Sequence, residues 1–200
     1  MLSARCNRGD EYMPFGFDRR KAIQAVAFLL KQRPERRDSY GRLLKVLYIA
    51  DRESIKETGT PITGDRFVAM EHGTMLSHLY DLAARKVSSQ ILAGSDHREW
   101  NKYITPIGAH VIRLIADPGD GALCEYEVKK LNEVADRYRD YTFGDMKNVT
   151  HNLPEYHDPG KTSKLISLRD FLCAVGMGGA ADGIIEEAKH SASLARLLRR

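Results

Sequence analysis

Seven histidines, three cysteines and a few isolated carboxylates are the residues of this 200-residue chain whose types could carry chemistry. Cys6, Cys124 and Cys173 stand far apart, with no CxxC pair and no Cys/His cluster. Neither a disulfide framework nor a zinc site is indicated by that usage, and a cytoplasmic location is expected. His72 and His78 lie six residues apart, on different faces of any helix. His151 and His157 flank Pro154 in a stretch without periodicity. Either pair reaches a metal only if the fold adds Asp51 or Asp65, a grouping far looser than metal ligands usually show.

Asp51 and Asp65 bracket the turn-rich stretch Gly59-Thr60-Pro61-Ile62-Thr63-Gly64. Two readings stand side by side. Joined by His151, the two carboxylates would make an acid/base or metal-assisted site. Alternatively Asp51 accepts backbone N–H bonds from the loop and Asp65 forms an Asx-type turn, which is the commoner employment. The chain has no GxSxG, HExxH, Walker or GxGxxG motif. Gly176-Met177-Gly178-Gly179 follows no strand pattern and reads as a helix break. Tyr40, Tyr48, Tyr80, Tyr103, Tyr126, Tyr138 and Tyr141 are spread over the elements as core and rim residues, not gathered into a base-stacking platform. No catalytic residue, metal ligand or cofactor is assigned.

Charge is uneven. Residues 1–45 hold eleven Lys or Arg against five Asp or Glu, a balance of +6, and the rest of the chain balances at −2 to give the net +4. Such a surface could meet nucleic acid as a regulator would, although no helix-turn-helix signature accompanies it. A solvated basic face is the plainer account. No apolar run approaches the ~18 residues of a membrane span, so no membrane partner is expected.

The elements that must position these residues are mostly helical. Residues 1–15 read as a loose tail and 16–200 as one domain. Asp18 is an N-cap for a helix to about Arg33, ended by Pro34 and a charged turn at Arg36-Arg37-Asp38. Leu43 to Ala50 is apolar on almost every side, so a helix over 39–58 should form the centre of the fold, with Asp51 on a buried side. Arg66–Met70 reads as a short strand. Leu76, Leu79, Tyr80, Ala83 and Val87 mark a third helix. Trp100–Ile104 and His110–Ile115 read as strands, and helices follow over 125–141, 143–149, from Ser167, and from Ala181. Residues 151–164 are expected to be irregular. The expected class is mainly α (α+β), a helical domain with a small antiparallel sheet inserted mid-chain.

The stretch Leu43-Leu44-Lys45-Val46-Leu47-Tyr48-Ile49-Ala50-Asp51-Arg52, followed by Pro61-Ile62-Thr63-Gly64-Asp65-Arg66-Phe67-Val68-Ala69-Met70 and Gly73, resembles the Panacea domain of SocA-like antitoxins. Glu125-Tyr126-Glu127, Tyr138 and Thr150-His151 look like that family's later landmarks, so the likeness runs over about 20–195. Two positions depart: Thr74 stands where the family has proline after glycine, and Tyr156 is nearest to its tryptophan. The first should alter the turn into the third helix. The resemblance implies an antitoxin that binds a cognate toxin encoded by a neighbouring gene, and includes service as an adaptor to a cellular protease. It marks Lys45, Tyr48, Asp51, Pro61, Thr63, Gly64, Asp65, Gly73 and His151 as signature positions, structural or partner-facing. Apart from the resemblance, the exposed side of the helices around the 59–74 loop is the expected partner contact.

Overall fold

The computed structural model describes residues 14–85 and 94–198. Of the expected tail, residues 1–13 lie outside that range, and Phe15 packs against the core. Helix α1 (Arg19–Lys31) starts where Asp18 accepts the Lys21 N–H at 3.0 Å. Its buried stripe, Ile23, Val26, Ala27 and Leu30, lies on α2 (Tyr40–Thr58). Thirteen of the nineteen residues of α2 are buried, so α2 is the axis about which the rest is arranged.

Around that axis sit two small antiparallel sheets instead of one. The first has the order β1 (Arg37–Ser39), β5 (Val111–Leu114), β4 (Ile104–Ile107), with Ser39 opposite Val111 and Ile104 opposite Leu114. In the second, β2 (Phe67–Met70) lies between β3 (Gly73–Leu76) and β6 (Ser163–Leu165), with Phe67 opposite Leu76 and Val68 opposite Leu165. Helix α3 (Ser77–Ala83) follows β3, and α4 (Gly94–Asn101) precedes β4. Helices α5 (Glu125–Arg137) and α6 (Phe143–His151) pack on α2 from other sides. Last come α7 (Leu168–Ala174), capped by Ser167, and α8 (Ala181–Leu198), which pack on each other.

The mainly α class with antiparallel sheet holds, and four details differ from expectation. Trp100 and Asn101 end a helix, because the polar run before them has no strand alternation and Trp100 turns inward as a fully buried plug. Strands β1 and β6 appear where a charged turn and an irregular stretch were expected. At three residues each they are too short to show a pattern and exist by pairing with β5 and β2. Gly73–Leu76 is strand, so the third helix starts only at Ser77; Val87 lies outside the described residues. Thr74 accordingly sits within β3, opposite Ala69, and not in a turn before α3.

Much of the basic character of residues 1–45 is answered internally. Arg19, Lys21 and Lys31 pair with Asp96, Glu127 and Asp117, while Arg33 and Arg42 share Asp38. Arg42 also donates to the Tyr138, Arg139 and Tyr141 carbonyls, supplying donors to the C-terminal end of α5. Buried Gln24 likewise binds the Pro118 carbonyl and the Ala122 N–H, holding the loop before α5.

Gly64 is the tightest joint. Its φ is +67°, and a Cβ there would lie 2.3 Å from the Gly16 carbonyl oxygen. Gly59, φ +79°, ends α2 in open space. Gly64→Ala should therefore lose about 2–4 kcal/mol by combining left-handed strain with a backbone clash, and Gly59→Ala only about 1 kcal/mol. Urea midpoints of the two variants, at an unchanged m-value, measure the difference.

Candidate functional site

Asp51 enters the site because α2 carries it into the core. With no exposed surface, its carboxylate must be satisfied from within. The 59–65 loop does this: Asp51 Oδ1 accepts the Ile62 N–H at 2.8 Å and the Thr63 N–H at 3.0 Å, and Oδ2 accepts the Thr63 hydroxyl. The same hydroxyl oxygen accepts the Asp65 N–H at 3.1 Å, so Thr63 links the two aspartates. Loop-holding by Asp51 is thus the reading the geometry bears out.

Asp65 does more than an Asx turn. Its Oδ1 accepts the His78 N–H at 2.9 Å and His78 Nδ1 at 2.6 Å, and Oδ2 accepts the Leu79 N–H at 2.9 Å. Two orphan donors at the start of α3 are thereby capped from across the hairpin, where Leu76 at the N-cap position has no capping side chain. Phe17 stacks on the His78 ring at 4.6 Å, and the Asp18 N–H binds the Thr63 carbonyl at 3.1 Å. The start of α1, the body of α2 and the start of α3 therefore meet at the one loop. Pro61 sits half-buried at its entry.

A second node surrounds Lys45, about one and two-thirds turns before Asp51 on α2. Its ammonium nitrogen donates to the Thr74 carbonyl at 3.1 Å and to Thr150 Oγ1 at 3.0 Å. Gly73, at φ +99°, leaves the room for this approach; a Cβ there would stand 2.2 Å from Thr150 Oγ1 and 2.8 Å from Lys45 Nζ. A third node joins Tyr48, whose hydroxyl donates to Glu155 Oε1 at 3.0 Å, with Arg52 Nε 2.8 Å from the same oxygen. Tyr48 packs on Phe67, and burial, followed by the Glu155 charge, holds its hydroxyl well above the ordinary tyrosine range. His151 stands on the rim: Nε2 donates to the Glu71 carbonyl at 3.1 Å, and the ring lies 4.5 Å from that of Tyr156. Tyr156 donates to the Met70 carbonyl, fastening the post-α6 segment to the hairpin.

Asp51 and Asp65 are brought together, but His151 is held at the hairpin turn by Glu71 and is no partner of either. Among the described residues no group of three His, Cys, Asp or Glu side chains is placed to hold a metal ion. Glu155 and Arg52 complete the third node without having been expected there, whereas His78, expected to meet Asp51 or Asp65 only as a metal ligand, meets Asp65 as part of a helix cap. Arg52 directly follows Asp51, but Glu155 had no local signal beyond its place after Pro154.

A family model described as antitoxin SocA-like, Panacea domain, matches residues 43–156. The chain belongs to that family. The matched segment contains every polar bond between side chains of the three nodes, from Lys45 on α2 to Glu155 after α6. Comparison with curated proteins and with solved structures finds no match. No helix among the described residues is long and apolar enough to cross a membrane.

Two of the buried ionisable groups of α2, Asp51 and Lys45, titrate in opposite senses. Burial pushes the Asp51 carboxyl up to about 7, against the pull of its Thr63 and Ile62 donors. Burial, with Lys147 nearby, brings the Lys45 ammonium down to about 7. Between pH 4 and 7 the folded state binds the Asp51 proton that the unfolded chain releases, so this contribution weakens as pH rises. Between pH 7 and 10 the unfolded chain keeps the Lys45 proton that the folded state sheds, so that contribution grows. Lys45→Met should remove the second slope, which is at most about 1.4 kcal/mol per pH unit. Urea denaturation of both proteins at pH 7 and 9.5 measures it, and a wild-type gain that the variant fully retains would refute the assignment.

Proposed function

We propose that the protein is an antitoxin that neutralises a toxin encoded beside it by direct binding. The observation that carries this reading is the antitoxin-family match over residues 43–156. The internal chemistry supports it. The polar residues that could have served an acid/base site have their oxygens and nitrogens engaged by loop amides, helix N–H groups and one another. They hold the frame, and the exposed surface is left for recognition.

Stable neutralisation should bury about 1,200–2,000 Å² in a stoichiometric complex. Two modes fit the family: occlusion of the toxin, and its delivery as cargo to a cellular protease. Each neighbouring reading frame is to be induced in turn, with and without this chain. Growth arrest relieved only by co-expression is the expected outcome, and arrest that persists despite folded, expressed protein would refute the reading. A chase of the toxin after translation is stopped separates the modes: its half-life shortens in the presence of an adaptor and lengthens under occlusion.

A further inference from the structure

The outer face of the first sheet carries charged and apolar side chains in a definite order. Ile104, Ile112 and Leu114 turn inward and are buried, so the alternation of a strand puts Ile107, Val111, Arg113 and Ile115 on the other side. Ile115 is 55% exposed, and Ile107 and Val111 are half-buried but stand outside the core. Arg37 of β1 lies directly opposite Arg113. Val111 and Ile115 flank Arg113 along β5, each about 7 Å away. Ile107 stands opposite Val111, and the Ile115 N–H binds the Tyr103 carbonyl at 2.7 Å. A pair of guanidinium groups thus sits between two apolar pairs.

Like charges directly opposite on a sheet repel, and an anion between them relieves this. Glu35 supplies it: Arg37 Nη2 donates to its Oε1 at 3.2 Å and Arg113 Nη2 to its Oε2 at 3.4 Å. Both contacts are long for charge-assisted bonds, and the Glu35 side chain remains 60% exposed. Arg113 Nε is buried and has no hydrogen-bond partner among the described residues. The backbone is bent to bring the carboxylate here, since Glu35 and Arg36 both have φ +51°, a left-handed conformation rare outside glycine. Strain of this kind gathers at sites that bind or switch.

Glu35 shows what group the arginine pair accepts, and it holds that place loosely. At the margins of the face Lys31 pairs with Asp117, which also feels Arg36, and Lys102 pairs with Glu99. Cations still outnumber carboxylates there with Glu35, Glu99 and Asp117 all counted. A second copy laid face to face would set arginines on arginines, which is costly. Nucleic acid would use the guanidinium groups and leave Ile107, Val111 and Ile115 against sugar and phosphate. A protein carboxylate with apolar neighbours meets both features.

We propose that this sheet face is the toxin-docking surface, where a partner carboxylate flanked by apolar side chains displaces Glu35 from Arg37 and Arg113. This rests on the antitoxin reading. The test uses the full chain and the purified product of whichever neighbouring frame arrests growth, with affinities read by calorimetry. Arg37→Gln/Arg113→Gln should weaken binding about thirtyfold at low salt and less at high salt. Ile115→Ser should weaken it about tenfold. Glu35→Gln should tighten it about fivefold, because the internal competitor is gone. All three should keep the wild-type melting temperature to within a few degrees, as the groups changed are exposed.

Wild-type affinity in the arginine variant would overturn the assignment and leave the antitoxin reading intact. Unchanged or weakened binding by Glu35→Gln would also overturn it, since a merely structural ion pair gives no gain. So would duplex DNA retention or self-association that the arginine variant loses while its affinity for the toxic product is unimpaired; these assign the face to nucleic acid or to a second copy. If wild type itself relieves no arrest, the antitoxin reading falls and the docking proposal with it.

Discussion

Burial of α2 on nearly every side is the constraint on which the structure turns. A helix with one wet face can send its charged residues to water. Here Lys45 and Asp51 have no exposed surface, and Tyr48 between them has none either. Each must be met by a group from a neighbouring element, because an unpaired polar group in such a place costs more than its bond returns. The 59–65 loop bends so that its amides reach Asp51, β3 places the Thr74 carbonyl against Lys45, and the segment after α6 brings Glu155 to Tyr48. The glycines follow from the same demand: Gly64 and Gly73 stand where backbone and side chain approach too closely for a Cβ.

The parts readable from sequence are those with local causes. The dense apolar run Leu43–Ala50 announced a central helix, Asp18 and Ser167 announced helix starts, and Asp51 on a buried side announced a loop-binding carboxylate. What escaped reading depends on residues distant in the chain. Asp65 caps a helix thirteen residues later by way of a hairpin, a connection no local pattern encodes. Arg37–Ser39 and Ser163–Leu165 become strands only because β5 and β2 offer them edges. Trp100 was read as strand-forming by its type, yet it serves as the inward residue of a short polar helix.

The Thr74 departure shows how the frame tolerates change. The position meets Lys45 through its backbone carbonyl, which any residue supplies, proline included. At Tyr156, by contrast, the hydroxyl itself binds the Met70 carbonyl, so the fastening of that segment uses a group specific to tyrosine here. Seven of the nine signature positions of this chain are buried, while Pro61 and His151 are half-buried. An antitoxin reading then directs attention outward, to surfaces free to differ.

The central claim is that the polar signature acts by holding the frame and does not itself act on the toxin. It is tested most directly by pairing growth rescue with folded fraction over a set of conservative variants: Lys45→Met, Tyr48→Phe, Asp51→Asn, Asp65→Asn and His151→Gln. The account predicts that rescue follows folded fraction along a single curve, with any variant that stays folded neutralising fully. A variant that is folded to the wild-type extent yet fails to rescue would contradict it, and would place that side chain in contact with the toxin.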